Sequence, residues 1–406
     1  MRALLVTWAA PGHLFPMVPL AWALTAAGHD VRIAAPPACT DAIVAAGLPA
    51  VAVGRPVDLK SAGNREDFKA WYEGTWPAGW ATRPELLNDA QARTLRAATT
   101  RQTLVADAML DDLVAFTGTW RPDLVVHDPL CLAGPVIAAV CGVPSLAHGW
   151  EVGTVTGTDR DPRSGEQLPE YLRLFEKYGV EPRPATGTLI DPAPPSTSLG
   201  DSLPVRRVPV RHVPYNGPGA VPPAPTGPRT APRIVFTTGV ALSRTDTAAV
   251  TRALADMLET TRGMDADIVL AVGAGQRALL PPLPDRVEVA EAVPMHLLLA
   301  GADAVVHHGG AGTALAAVHC GVPQLVLPRS PIYSETGHRI AASGAGTVLV
   351  GDDQHPVTAA PALAGLLGDG PHRTALTALR AELDALPSPA EVALHIEDLL
   401  RIPAAV

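Results

Sequence analysis

Residues Asp303 to Pro328 read DAVVHHGGAGTALAAVHCGVPQLVLP. The order is a short apolar strand, a glycine-rich turn, a helix of small residues and a second apolar strand. Gly309, Gly310 and Gly312 carry no Cβ and tolerate positive φ, so a backbone can approach a ligand closely there. A helix beginning near Thr313 would turn its unpaired N–H groups and the positive end of its dipole toward whatever lies over the turn. A phosphate or diphosphate suits that position, and His307 and His308 add donors on the same rim. A turn of this kind also occurs as a plain tight connection, so the rest of the chain has to decide.

The chain carries the same grammar a second time. Asp123 opens DLVVHDPLCLAGPVIAAVCGVPSLAH, which repeats the strand Asp-X-Val-Val-His, the glycine-containing turn, the small-residue helix and the terminal Cys-Gly-Val-Pro. Gly142 and Gly321 are placed as helix C-caps, with Pro144 and Pro323 entering the next strand. Around these units, ALLVTW (Ala3–Trp8) and DVRIAAP (Asp30–Pro36) flank a helix over about Met17 to Ala27. RIVFTTG (Arg233–Gly239), DIVLAVG (Asp267–Gly273) and RVEVAEAVP (Arg286–Pro294) alternate with helical stretches in the second half. Strands alternating with helices imply parallel sheets covered on both faces, twice over.

Bulk properties agree. A length of 406 residues suggests two domains of similar size. A hydrophobic share of 47% against 17% charged is globular composition, and a net charge of −9 argues against a nucleic-acid backbone as partner. Cys39, Cys131, Cys141 and Cys320 sit in apolar segments without metal-site spacing, which reads as reduced, buried cysteines. Pro11, Gly12, His13 and Pro16 interrupt the apolar start before a secretion-length core forms, and no window is long enough to span a bilayer. The expectation is a soluble, cytoplasmic protein without membrane partners.

The wording of HHGGAGT followed by GVPQLVLP resembles the donor-binding segment of family 1 glycosyltransferases, above all the actinobacterial enzymes that decorate antibiotics and other polyketides. The likeness continues at Val6 to Pro37, at RPDLVVHDPLCLAGP (Arg121–Pro135) and at VPYNGPG (Val213–Gly219), while about Asp58 to Arg101 and Val152 to Leu203 look private. The resemblance implies the GT-B architecture, two Rossmann-like domains facing each other across a cleft. The acceptor-binding domain would span 1–212 and a Pro/Gly-rich linker 213–232. The nucleotide-sugar domain would span 233–386, and 387–406 would form a helix crossing back to the N-terminal domain. It further implies a small-molecule aglycone and a dTDP- or UDP-linked sugar as substrates, with no cofactor and no metal. A homodimer or an auxiliary protein as further partner stays open.

Glycosyl transfer requires a base for the acceptor hydroxyl and a cradle for the leaving diphosphate. His13, just past the first strand, stands where the family places its catalytic histidine, before Leu-Phe-Pro. Asp128, at the end of the neighbouring strand DLVVH, matches the family's acidic partner; an N-cap on the following helix is the competing reading, with Asp107 and Asp111 as weaker rivals for the partner. The diphosphate is expected at His307 or His308, Gly309, Gly310, Gly312 and Thr313, and the base and ribose at Gly239 and Val293 within EAVPMH.

One segment departs from the family. After LVLP an Asp-Gln pair normally bonds the hydroxyls of the donor sugar, and here those places hold Ile332 and Tyr333. A deoxygenated sugar would tolerate the exchange, or Glu335 or Arg329 could replace the lost polar groups. Alternatively, the chain is a silent GT-B protein that binds nucleotide or acts as a partner protein. On the acceptor side Trp71, Tyr72, Trp76 and Trp80 cluster, either as walls for a flat or greasy aglycone or as a satellite hydrophobic cluster. The stretch Thr154 to Gly200 reads as an irregular loop region shaping acceptor access.

Overall fold

A computed structural model describes residues 1–58, 66, 69–72, 75–152, 157–198, 205–221, 230–237, 239 and 247–401, without the side chains of 69, 72, 247–250 and 399–401. Residues 222–229 of the expected 213–232 linker, and the start and end of the expected loop region at Thr154 to Gly200, lie outside these residues. The chain divides into two compact units. One comprises Met1–Ala193, Ser198–Val213 and Leu386–Val406, and the other Pro194–Thr197 and Pro214–Ala385.

The first unit is built on seven parallel strands: β1 (Arg2–Val6), β2 (Asp30–Ala35), β3 (Ala50–Ala52), β4 (Leu124–His127), β5 (Ser145–His148), β6 (Thr188–Asp191) and β7 (Arg206–Pro209), ordered β3-β2-β1-β4-β5-β6-β7. The second holds β8 (Arg233–Thr237), β9 (Asp267–Val272), β10 (Val287–Glu291), β11 (Ala304–His307), β12 (Gln324–Val326) and β13 (Gly346–Val348), ordered β10-β9-β8-β11-β12-β13. Counting from the first strand of each unit, the first six strands follow the same order in both sheets. The strand order reverses between β1 and β4 and between β8 and β11, which are the switch points where loops at the carboxyl ends leave a crevice.

Strand period explains the layering. Ile234 and Phe236 on β8 enter one core with Leu254, Leu325 and Leu363, while Val235 enters another with Val269, Leu299 and Val305. Each fully buried aliphatic side chain contributes roughly 1.5–3 kcal/mol, so both faces of the sheet are covered by apolar necessity. In the first unit Leu4, Val6 and Val125 share one core with Leu110 and Leu113 of the Asp89–Trp120 helix and Val136 and Ile137 of the Ala133–Cys141 helix. The paired Cys-Gly-Val-Pro segments end their helices alike, with Gly142 at φ 68° and Gly321 at φ 71°, the left-handed caps that only glycine adopts cheaply. The C-terminal helix Pro389–Arg401 packs against the helix Val18–Ala26 within the first unit.

One expectation needs correction. The region Thr154 to Gly200 is more regular than its prolines suggested. It contains the helix Pro169–Glu176 and the interior strand β6, because Tyr171, Leu174 and Phe175 recur at helical spacing and are buried. The tryptophans at 71, 76 and 80 pack on one another, with ring centroids 6.3 Å and 5.1 Å apart. Trp76 and Trp80 are buried, and the Trp76 indole donates to Ala70 O, so the hydrophobic-cluster reading holds for them; the Tyr72 side chain lies outside the described residues.

Candidate active site

In the first unit the site forms where β1, β4 and β5 end side by side. Beyond β1 the chain makes a tight turn, with Ala10 N donating to Trp8 O, and enters a short helix, Pro11–Leu14, that carries His13. The proline at the first helical position fixes φ for this helical turn, so His13 sits on a helix and not on an open loop. His13 Nδ1 lies 2.6 Å from Asp128 Oδ2, and the other oxygen of Asp128 accepts from Leu130 N at 2.7 Å. Asp128 is fully buried, while the His13 side chain stays 15% exposed. The competing capping reading for Asp128 is thus half realised: one oxygen pins the turn and the other meets the histidine. It is not the N-cap of the next helix, which starts at Ala133. The rivals Asp107 and Asp111 are occupied elsewhere, both on Lys177.

Two residues that sequence reasoning passed over complete this site. The ring of Trp8 stands 5.1 Å from that of His13 at 71°, and the ring of Trp150, just past β5, stands 4.4 Å away at 60°. Gly12 beside them has an ordinary φ, and a Cβ there would meet nothing within 4 Å, so the fold itself does not demand glycine.

In the second unit the equivalent strand ends bring Gly239 and the glycine turn together. Gly239 has φ +74°, and a Cβ on it would run into the His308 ring; one on Gly310 would stand 2.8 Å from His308 Nε2. Gly309, at φ +95°, leaves room for the Tyr333 backbone, whose oxygen would lie 2.6 Å from a Cβ there. The Tyr333 ring meets the His308 ring edge-on, with centroids 4.7 Å apart. The helix begins at Ala311, two residues ahead of the expected Thr313, because Gly310 is extended and its carbonyl already accepts from Thr313 N and Ala314 N. Gly312 and Thr313 therefore lie in its first turn. Ile332 and Tyr333 open the helix Pro331–Ala342.

His307 and His308 part company. His307 is buried, its Nε2 lies 3.0 Å from Gln324 Oε1 and its Nδ1 accepts from Gly309 N, so it braces the turn from below. Its expected place among ligand contacts is corrected to a structural one. Burial pushes it down to about 4. His308 Nδ1 has no hydrogen-bond partner among the described residues, and burial, with His307 and Arg329 nearby, holds this ring down at about 3. His308 is therefore neutral near pH 7, able to donate from one nitrogen. Of the proposed substitutes for the missing polar pair, Glu335 is buried on Arg339 at 3.0 Å, whereas Arg329 is exposed beyond β12. Val293 follows β10 and packs on the core of the second unit, in the segment where Gly219 lies close on Pro294.

Two parallel-sheet α/β units with this order and these strand-end sites define a GT-B glycosyltransferase, and comparison with known proteins agrees. Residues 22–239 match the erythromycin biosynthesis protein CIII-like N-terminal domain and residues 255–399 its C-terminal domain, and the chain belongs to that family. It is 35% identical to the TDP-daunosamine transferase DnrS of Streptomyces peucetius, over 98% of this chain and 97% of the relative. Identity to the L-demethylnoviosyl transferase of Streptomyces niveus is 36%, over 97% of each. The solved structure of spinosyn rhamnosyltransferase SpnG complexed with thymidine diphosphate superposes with a TM-score of 0.80 at 29% identity, covering 98% of this chain and 100% of that one. No helix among the described residues is long and apolar enough to cross a membrane.

Proposed function

We propose that this glycosyltransferase moves a deoxygenated sugar from a nucleoside-diphosphate carrier to a hydroxyl of a specialised-metabolite aglycone, with inversion at the anomeric carbon and His13 as general base. The observation that carries the reading is the 2.6 Å contact between His13 Nδ1 and buried Asp128. With Nδ1–H held by the carboxylate, Nε2 presents its lone pair, takes the acceptor proton as the C–O bond forms, and the resulting imidazolium is stabilised by Asp128. The oxygen attacks the anomeric carbon opposite the leaving diphosphate, so configuration inverts.

The leaving group's growing charge is met by the first-turn N–H groups of the Ala311–Cys320 helix and by a hydrogen bond donated from the N–H of neutral His308. This reading needs no divalent ion, because that turn supplies fixed dipoles where the charge develops. The bound thymidine diphosphate of SpnG and the TDP-daunosamine named for DnrS favour thymidine over uridine as the nucleoside. The apolar Ile332 and the phenol of Tyr333, with Glu335 committed to Arg339, favour a sugar poor in hydroxyls. Calorimetric titration with dTDP, UDP and their sugar derivatives tests this. A dTDP-deoxysugar should bind more tightly than dTDP alone; failure of every nucleotide to bind would reject the reading.

A further inference from the structure

Three neighbouring strand ends deliver three side chains around one imidazole: Trp8 after β1, Asp128 after β4 and Trp150 after β5. The two indoles differ from other tryptophans of the chain in one respect. Trp22, Trp76 and Trp120 each donate their Nε1–H, to Ala46 O, Ala70 O and Asp30 Oδ2 respectively. The Nε1 atoms of Trp8 and Trp150 are buried and have no hydrogen-bond partner among the described residues. A buried indole normally finds a partner, and leaving one unmet costs free energy. Both exceptions in this comparison stand against His13, so their placement is set by the ring contact rather than by their own polar needs.

Asp128 alone cannot fix the histidine. A single hydrogen bond at Nδ1 still leaves the ring room to tilt about its Cβ–Cγ tether, which would swing Nε2 away from a substrate. The indoles at 71° and 60° to the imidazole close two directions of that motion. Their π faces and edges also lie where positive charge develops when the ring takes a second proton.

We propose that Trp8 and Trp150 are positioning residues for His13, holding its imidazole with Nδ1 on Asp128 and Nε2 turned outward, and flanking the imidazolium during transfer. This rests on His13 being the base. The side chains do not touch the reacting atoms; they act through the imidazole.

The test uses full-length protein labelled with ¹⁵N-histidine, with the His13 ring resonances assigned from their loss in His13→Gln. At pH 8 the wild type should show one sharp species, Nδ1 protonated and Nε2 pyridine-like. Trp150→Leu and Trp8→Leu should shift both nitrogens toward tautomer-averaged values and lower transfer about tenfold, while Trp150→Phe restores the wild-type pattern. A wild-type circular dichroism spectrum and melting temperature identify the variants as folded, and methionine at the same position replaces any leucine variant that is not. Wild-type spectra in both non-aromatic variants would overturn the proposal while leaving the base assignment standing. An active His13→Gln enzyme would instead remove the base assignment itself.

Discussion

His13 and Asp128 meet at 2.6 Å because β1 and β4 are neighbours in the sheet although 115 residues separate the two side chains in sequence. The carboxylate does two jobs with two oxygens, one on His13 and one on Leu130 N. Asp128→Asn keeps the volume and an acceptor for the Leu130 amide but favours the wrong tautomer of His13. Transfer should fall about 10²–10⁴-fold with dTDP affinity unchanged, read by steady-state kinetics and calorimetry side by side.

Gly239 stands to His308 as the loop after β1 stands to Asp128, and its φ of +74° admits no side chain without strain. Gly239→Ala should displace the His308 ring and weaken dTDP binding at least about tenfold. The same substitution at Gly12 meets open space and an ordinary φ. Gly12→Ala should therefore leave the melting temperature alone, and any loss of transfer measured in that variant reports substrate occupying the space.

Ile332 and Tyr333 can be returned to the family's polar pair. Ile332→Asp with Tyr333→Gln should shift the kcat/KM ratio of hydroxylated over deoxygenated donors upward by about tenfold or more, since unmet polar groups discriminate against bare carbons. An unchanged ratio would mean that this turn does not read the sugar.

Buried histidines set an acid limit on stability. His148 and His307 are held at about 4 and His308 at about 3 by burial, all below the ordinary value of 6.5. Between those values the unfolded chain binds more protons than the folded one, so stability rises with pH across that window and is lost as pH falls from about 6.5 toward 4. Thermal melts at stepped pH should show this decline, shallower in His148→Gln. His307→Ala should lower stability throughout, by breaking the Gln324 and Gly309 bonds, whereas His308→Ala should chiefly weaken dTDP binding.

The alternation of strands and helices and the glycine caps at 142 and 321 were readable, because local periodicity and short motifs carry them, whereas the His13–Asp128 pairing, 115 residues apart, was implied by the family resemblance alone. The structural place of His307 was not taken from the sequence, although the internal repeat holds a parallel. His127 occupies the same strand-end place in the first unit, buried beside Gly134, with no glycine turn of the HHGG kind after it. Trp8 and Trp150 were not readable. Nothing local distinguishes an indole beside His13 from one in a core, and only the packing of β1, β4 and β5 brings residues 8 and 150 to one ring. The helix Pro169–Glu176 was obscured by the prolines and polar residues around it, which outweighed three apolar positions at helical spacing.

The most direct measurement is transfer from a dTDP-deoxysugar to a pool of polyketide and aromatic aglycones, read by mass spectrometry for wild type and His13→Ala, with dTDP affinity determined on both proteins. The account predicts glycosylated product with the wild type, its loss by orders of magnitude in His13→Ala, and equal dTDP affinity. Undiminished product formation by His13→Ala would contradict it.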